Sequence, residues 1–169
     1  MSGELIDQLR KEALRIEEDC EHSMKAHYNT SANQESRHKW LGLPAAVCAA
    51  VASGTAFGSY EVIAGSLAFI TTVLTSAMMF LKPLEKAEQH KNYAGQYHAL
   101  RNKARRFREI ELIENDDVGT LKHALLEMGE QQDELNQNCP IPSRKSYEKA
   151  KKDIDANMAQ YRVDKDGIH

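Results

Sequence analysis

Between Trp40 and Leu81 the chain carries one charged residue, Glu61, while charged positions crowd both sides of that stretch. The sequence Gly58-Ser59-Tyr60-Glu61 divides it into two apolar runs, 40–57 and 62–81. A hydrocarbon core of ~30 Å takes ~20 helical residues at ~1.5 Å each, and both runs meet that length, the first only just. The four-residue joint leaves no room for a crossing back, so the pattern predicts a hairpin with both ends on one side. Two apolar helices could also form the central hairpin of a soluble bundle. A buried helix in such a bundle usually keeps a polar stripe, and the only polar side chains in these runs are Ser, Thr, Cys and the Trp40 indole. Membrane insertion is therefore the reading carried forward.

The flanks have helical periodicity. In 3–39, Leu5, Leu9, Ala13 or Leu14, Ile16, Cys20, Met24 and His27 form one apolar stripe. The pattern weakens over Asn29–Ser36, which predicts a fray or short break. Beyond Pro83, the residues Tyr93, Tyr97, Leu100, Ala104 and Phe107 step by four and three, a heptad seam of coiled-coil type that Leu84, Ala87 and His90 extend backwards. This helix is expected to reach about Glu114 and stop at Asn115-Asp116-Asp117. A second is predicted over Val118–Asn138, with Leu121, Ala124, Leu125, Met128 and Leu135 on its apolar face. Cys139-Pro140-Ile141-Pro142 breaks it. Ser143 or Ser146 can cap a last helix that ends near Tyr161 and packs through Tyr147, Ala150, Ile154 and Met158, before a polar tail from Arg162. The expected fold is all-α: a cytoplasmic amphipathic helix (1–39), a two-helix transmembrane hairpin (40–81) and a cytoplasmic helical region (82–169).

Charge sets the orientation. Arg37, His38 and Lys39 precede the first run, Lys82 and Lys86 follow the second, and the joint has no Lys or Arg. Positive flanks stay cytoplasmic, so both termini are expected inside, with Trp40 and Tyr60 at opposite interfaces. The net charge of -3 hides near balance: 6 Lys and Arg against 8 Asp and Glu in 1–39, and 16 against 16 in 82–169. No nucleic-acid surface follows from that. The first 30 residues are charged and lack a signal-peptide core. Cys20, Cys48 and Cys139 are far apart and fit reduced, structural thiols.

Candidate chemistry is sparse. No nucleophile elbow, phosphate loop, dinucleotide fingerprint or zinc-protease motif occurs, and neither His22/His27 nor His90/His98 has a metal-binding i,i+4 spacing. No catalytic residue, cofactor or metal is expected. The acidic cluster Glu17-Glu18-Asp19 reads as a solvated face. Arg101, Lys103, Arg105, Arg106 and Arg108 form a basic run in which Arg101, Arg105, Arg106 and Arg108 could bind a phosphate-bearing ligand or an acidic partner, or could pair with Glu109, Glu111 and acids of the next helix. Gly54 and Gly58 form a GxxxG, an association surface for helices in lipid, to be shared between the hairpin and copies of the chain. Thr71, Thr72, Thr75 and Ser76 either line a pore or bond back to their own helix carbonyls. Pro44 and Pro83 lie near the same membrane boundary and serve as hinges or as plain helix punctuation.

The polar helix leading into RHKWLGLPAAVCAAVASGTAF, the tight joint, and FLKPLEKAEQHKNYAGQYHALRNKARRF with SYEKAKKDI farther on resemble the SLATT domain. That family comprises two-transmembrane effectors associated with SMODS and SLOG nucleotide-signalling systems of bacterial conflict. The match spans 30 to about 158; its most specific part is Phe80–His90 followed by Tyr97–Arg101. The resemblance implies a homo-oligomeric, pore-forming effector of antiviral defence in the bacterial inner membrane. It also implies a separate sensor or signal-generating protein, with a nucleotide second messenger as one trigger. A constitutive membrane scaffold for a cytoplasmic partner is the alternative.

Overall fold

The computed structural model describes residues 2–56, 60–114 and 117–156, and every element among them is helical. Helix α1 is Ser2–Ala56, α2 Glu61–Leu81 and α3 Pro83–Arg106. A π-helical turn, Phe107–Glu111, joins α3 to the short α4, Leu112–Glu114; α5 (Val118–Asn138) and α6 (Arg144–Asp155) follow. Phe57 of the first apolar run, and Gly58 and Ser59 of the expected joint, lie outside the described residues. So do Asn115 and Asp116 of the expected stop, Met158 and Tyr161 of the last helix, and the tail.

The chain divides into two compact units, Met1–Thr30 with His90–His169, and Ser31–Gln89. The first has an apolar core drawn from three helices. Leu9, Ala13, Ile16 and Cys20 come from α1, and Tyr97, Leu100 and Ala104 from α3. Phe107 and Leu112 extend that side, and Leu121, Leu125, Met128 and Leu135 come from α5. At the ambiguous position in α1, Ala13 takes the core place and Leu14 is exposed. The heptad positions Tyr97, Leu100, Ala104 and Phe107 are buried, Tyr93 is half-buried and Leu84 is exposed. Local chemistry sets the ends of α5 and α6. Asp117 caps α5 by accepting from the Gly119 and Thr120 amides, and Ser143 caps α6 by accepting from the Ser146 amide.

The break expected over Asn29–Ser36 does not occur, because tertiary and back-bonding contacts hold a segment of weak propensity in register. Thr30 is buried; its hydroxyl donates to the Ala26 carbonyl at 2.9 Å and accepts from the Ser143 amide at 3.3 Å. The Asn29 amide donates to the Ser146 carbonyl at 3.3 Å. Propensity is a weak prior that packing overrides.

In the second unit, the later part of α1 lies beside α2. A Cβ at Gly42 would meet the Met78 sulfur at 3.4 Å, and Ala45 is buried. Glu61–Glu114 includes a stretch long and apolar enough to cross a membrane, and none of that stretch is buried. The chain turns between α2 and α3 at Lys82, which has φ 46° and ψ 51°, the left-handed conformation of a helix end, with its amide donating to the Met78 carbonyl. Pro83 then takes the first helical position of α3, where its missing N–H costs nothing.

Candidate functional site

Helix α2 exposes large apolar side chains. Val62 is 83% exposed and Phe80 89%, and Phe69 and Met79 are similarly bare. The threonine hydroxyls of α2 are satisfied internally. Thr72 donates to the Ala68 carbonyl at 2.9 Å, and Thr75 to those of Thr71 and Thr72 at 2.8 and 3.1 Å. Thr71 donates to Leu67 at 2.9 Å and reaches the Ala45 carbonyl at 3.5 Å, which sets it between α1 and α2. Thr72, Thr75 and Ser76 are exposed on the single chain. Each back-bonded hydroxyl keeps its lone pairs, so this face can still accept.

Of the two GxxxG glycines, Gly58 lies outside the described residues. Gly54 is exposed, and a Cβ there would meet nothing within 4 Å. The close approach inside the unit falls at Gly42 instead, which periodicity did not single out. Pro44 sits inside α1, which continues across it, whereas Pro83 follows the left-handed Lys82.

In the first unit the structure assembles a polar junction from residues scattered in sequence. His27 of α1 and His90 of α3 meet through their Nδ1 atoms at 3.1 Å, both rings buried. One ring donates and the other accepts, so the pair is held by a neutral tautomer of each. Tyr93 and Tyr97 pack their rings against His27, with centroids 6.0 and 5.6 Å away. The Tyr97 hydroxyl donates to Asn136 Oδ1 at 2.8 Å and that of Tyr93 to the Asn138 carbonyl at 2.9 Å, which ties α3 to the end of α5. Burial, and then the charge His90 would carry, push His27 down from 6.5 to about 4; burial also lowers His90. Desolvation, with Asp19 adding to it, pushes the Cys20 thiol up to about 12. The spacing of His27 and His90 along the chain gives no sign of this meeting, because it joins two different helices. Positions 27 and 90 each lie on an apolar stripe, and that was the available clue.

The basic run is split by the packing. Arg101 is buried against Glu21 at 3.2 Å, and Glu21 also pairs with Lys25 at 3.1 Å. Arg108 sets both Nε and Nη2 at 3.2 Å from Glu17, which is buried, and reaches Glu109 at 3.0 Å. Glu17 thus leaves the solvated face expected for it, because the π-helical turn after α3 brings the Arg108 guanidinium to it. Arg105 is half-buried and Arg106 exposed. Beside this face a polar groove of about 530 Å³ is lined by Asp19, His22, Gln132, Asn136, Tyr147 and Lys151, among others. No cluster of three or more metal-ligating side chains occurs among the described residues.

No family model matches the chain, and neither a curated protein nor a solved structure matches it.

Proposed function

We propose that this chain is a membrane-permeabilising effector of bacterial antiviral defence. In this reading 40–57 and 62–81 form a two-helix transmembrane hairpin in the inner membrane with both termini cytoplasmic. Copies associate on a cytoplasmic signal, and the helical base of α1, α3, α5 and α6 receives that signal from a separate sensor. The observation that carries the reading is that no residue of the apolar helix α2 is buried, and most of its large apolar side chains are exposed. A patch of that extent is foreign to a soluble monomer and suits hydrocarbon. The back-bonding of Ser53, Thr55, Ser66, Thr71, Thr72 and Thr75 supports it further, because a hydroxyl in lipid must be satisfied within the protein. So do the contacts at Gly42/Met78 and Ala45/Thr71, which suit an antiparallel pair. Open space at Gly54 leaves a small-residue surface for a second copy. The step from insertion to killing rests on the SLATT resemblance.

The experiment is reconstitution of the full chain into liposomes, with flotation and release of dyes graded by size. Flotation with release that rises with protein density and stops at one dye size is the expected result. Flotation without release, in the presence of the activated sensor, would overturn the pore and leave a membrane scaffold. A protein that does not float would be a soluble bundle.

A further inference from the structure

The heptad seam of α3 does not run on unchanged past Phe107. Its buried members Tyr97, Leu100, Ala104 and Phe107 step by three and four, but the next buried residue is Leu112, five positions on. That long step is the π-helical turn Phe107–Glu111, in which the Leu112 amide donates to the Phe107 carbonyl. A turn of this kind holds one residue more than an α-helical turn. In an unbroken α-helix the seam would continue to Glu111 and then Glu114, both of which are exposed here. Charge turned into an apolar core without a partner is costly. The wide turn puts Leu112 in that place instead, within the core that Leu121 and Leu125 of α5 share.

The turn is fixed from the other side as well. Placed one turn earlier, a step of five from Leu100 would reach Arg105, followed by Arg108 and then Leu112. That setting would turn two guanidinium groups into the seam in place of Ala104 and Phe107, both fully buried. It would also draw Arg108 away from Glu17, which lies 3.2 Å from it.

We infer that the π-helical turn is a register lock. Its extra residue is held between Arg105 and Arg108 upstream and Glu111 and Glu114 downstream, so α3 has one rotational setting against α1 and α5. The ion pairs Arg101–Glu21 and Arg108–Glu17 belong to that setting. A slip of one residue would rotate the helix by ~100° and take both guanidinium groups away from α1. The lock is a property of the helical base alone and does not depend on the membrane reading.

Two single-residue deletions test it in the full chain in detergent. Deletion of Glu111 leaves Leu112 four positions after Phe107, so a regular α-helix keeps Ala104, Phe107 and Leu112 in the core. Deletion of Lys103 shortens the chain equally, but a regular helix then carries Arg105, Arg108 and Leu112 on the seam. Glu111→Ala and Lys103→Ala control for the lost side chains. The readouts are the thermal midpoint by circular dichroism and the maleimide labelling rate of Cys20, which is buried in the same core. The Glu111 deletion should melt within about 4 °C of Glu111→Ala and keep Cys20 protected. The Lys103 deletion should melt more than about 10 °C below Lys103→Ala, or label Cys20 at the unfolded rate. Equal damage from the two deletions would overturn the lock, and so would equal tolerance of them. Glu111→Leu combined with Glu114→Leu removes the downstream glutamates without shortening the chain. It should favour the unbroken helix and raise labelling of the Leu112→Cys variant several-fold. Unchanged labelling there would overturn the pinning by the glutamates.

Discussion

Acidification should loosen the helical base, and His27 is where the effect can be isolated. The ring is buried against His90, Tyr93 and Tyr97, and none of the ion pairs among the described residues involves His27 or His90. Its pKa falls from 6.5 to about 4 on folding. The unfolded chain therefore takes the proton first, and the folded state loses stability as pH drops below about 6.5, the loss levelling off near pH 4. At about 1.4 kcal/mol per tenfold the full gap is worth about 3 kcal/mol, of which about 2 kcal/mol is lost by about pH 5. His90, lowered in the same direction, adds to this. For a chain of this length a loss of about 2 kcal/mol lowers Tm by about 4–8 °C. The assay is thermal unfolding of the detergent-solubilised protein by far-ultraviolet circular dichroism at about pH 7.5 and about pH 5, on either side of the unperturbed histidine value. Carboxylates titrate as well, so the informative quantity is the difference from His27→Gln. That variant should be less stable at neutral pH and should show a smaller drop on acidification. An equal drop in the variant and the parent would refute the reasoning, because it would remove His27 from the pH dependence.

Three further outcomes follow from particular residues. Lys82→Val should lower stability by about 1–2 kcal/mol, the cost of holding a β-branched residue in the left-handed region, while Lys82→Gly should match or exceed the parent; paired thermal melts check this. Gly54→Leu, placed where the single chain offers open space, should leave flotation unchanged and abolish dye release; undiminished release would exclude that face from assembly. Cys20, buried with its thiol raised to about 12, should resist a maleimide at neutral pH and react only on unfolding, read as a mass increment in the peptide that contains it. Labelling of Cys20 in the folded protein at the unfolded rate would contradict its burial.

Features that depend on a residue and its near neighbours were legible in the sequence. The apolar run 62–81, the span Val118–Asn138, the Ser143 cap and the seam Tyr97, Leu100, Ala104, Phe107 all follow from periodicity, caps and breakers acting within a few turns. Features that depend on register between helices were not. Asn29–Ser36 has weak helical propensity and is helical because Ser143 and Ser146 hold its first turn. Glu17-Glu18-Asp19 looked uniformly solvated, yet packing with the π-helical turn after α3 buries Glu17 beside Arg108 and leaves its neighbours outside. Gly54 belongs to the more conspicuous motif, while Gly42 is the glycine that meets Met78. His27 and His90 are 63 residues apart, and only the alignment of α1 with α3 brings their nitrogens to 3.1 Å. Hydrophobic patterning requires only that an apolar face be covered. Which side chains then meet is decided by the axial offset between packed helices, which comes from the summed fit of the whole core and is written in no single stretch of sequence.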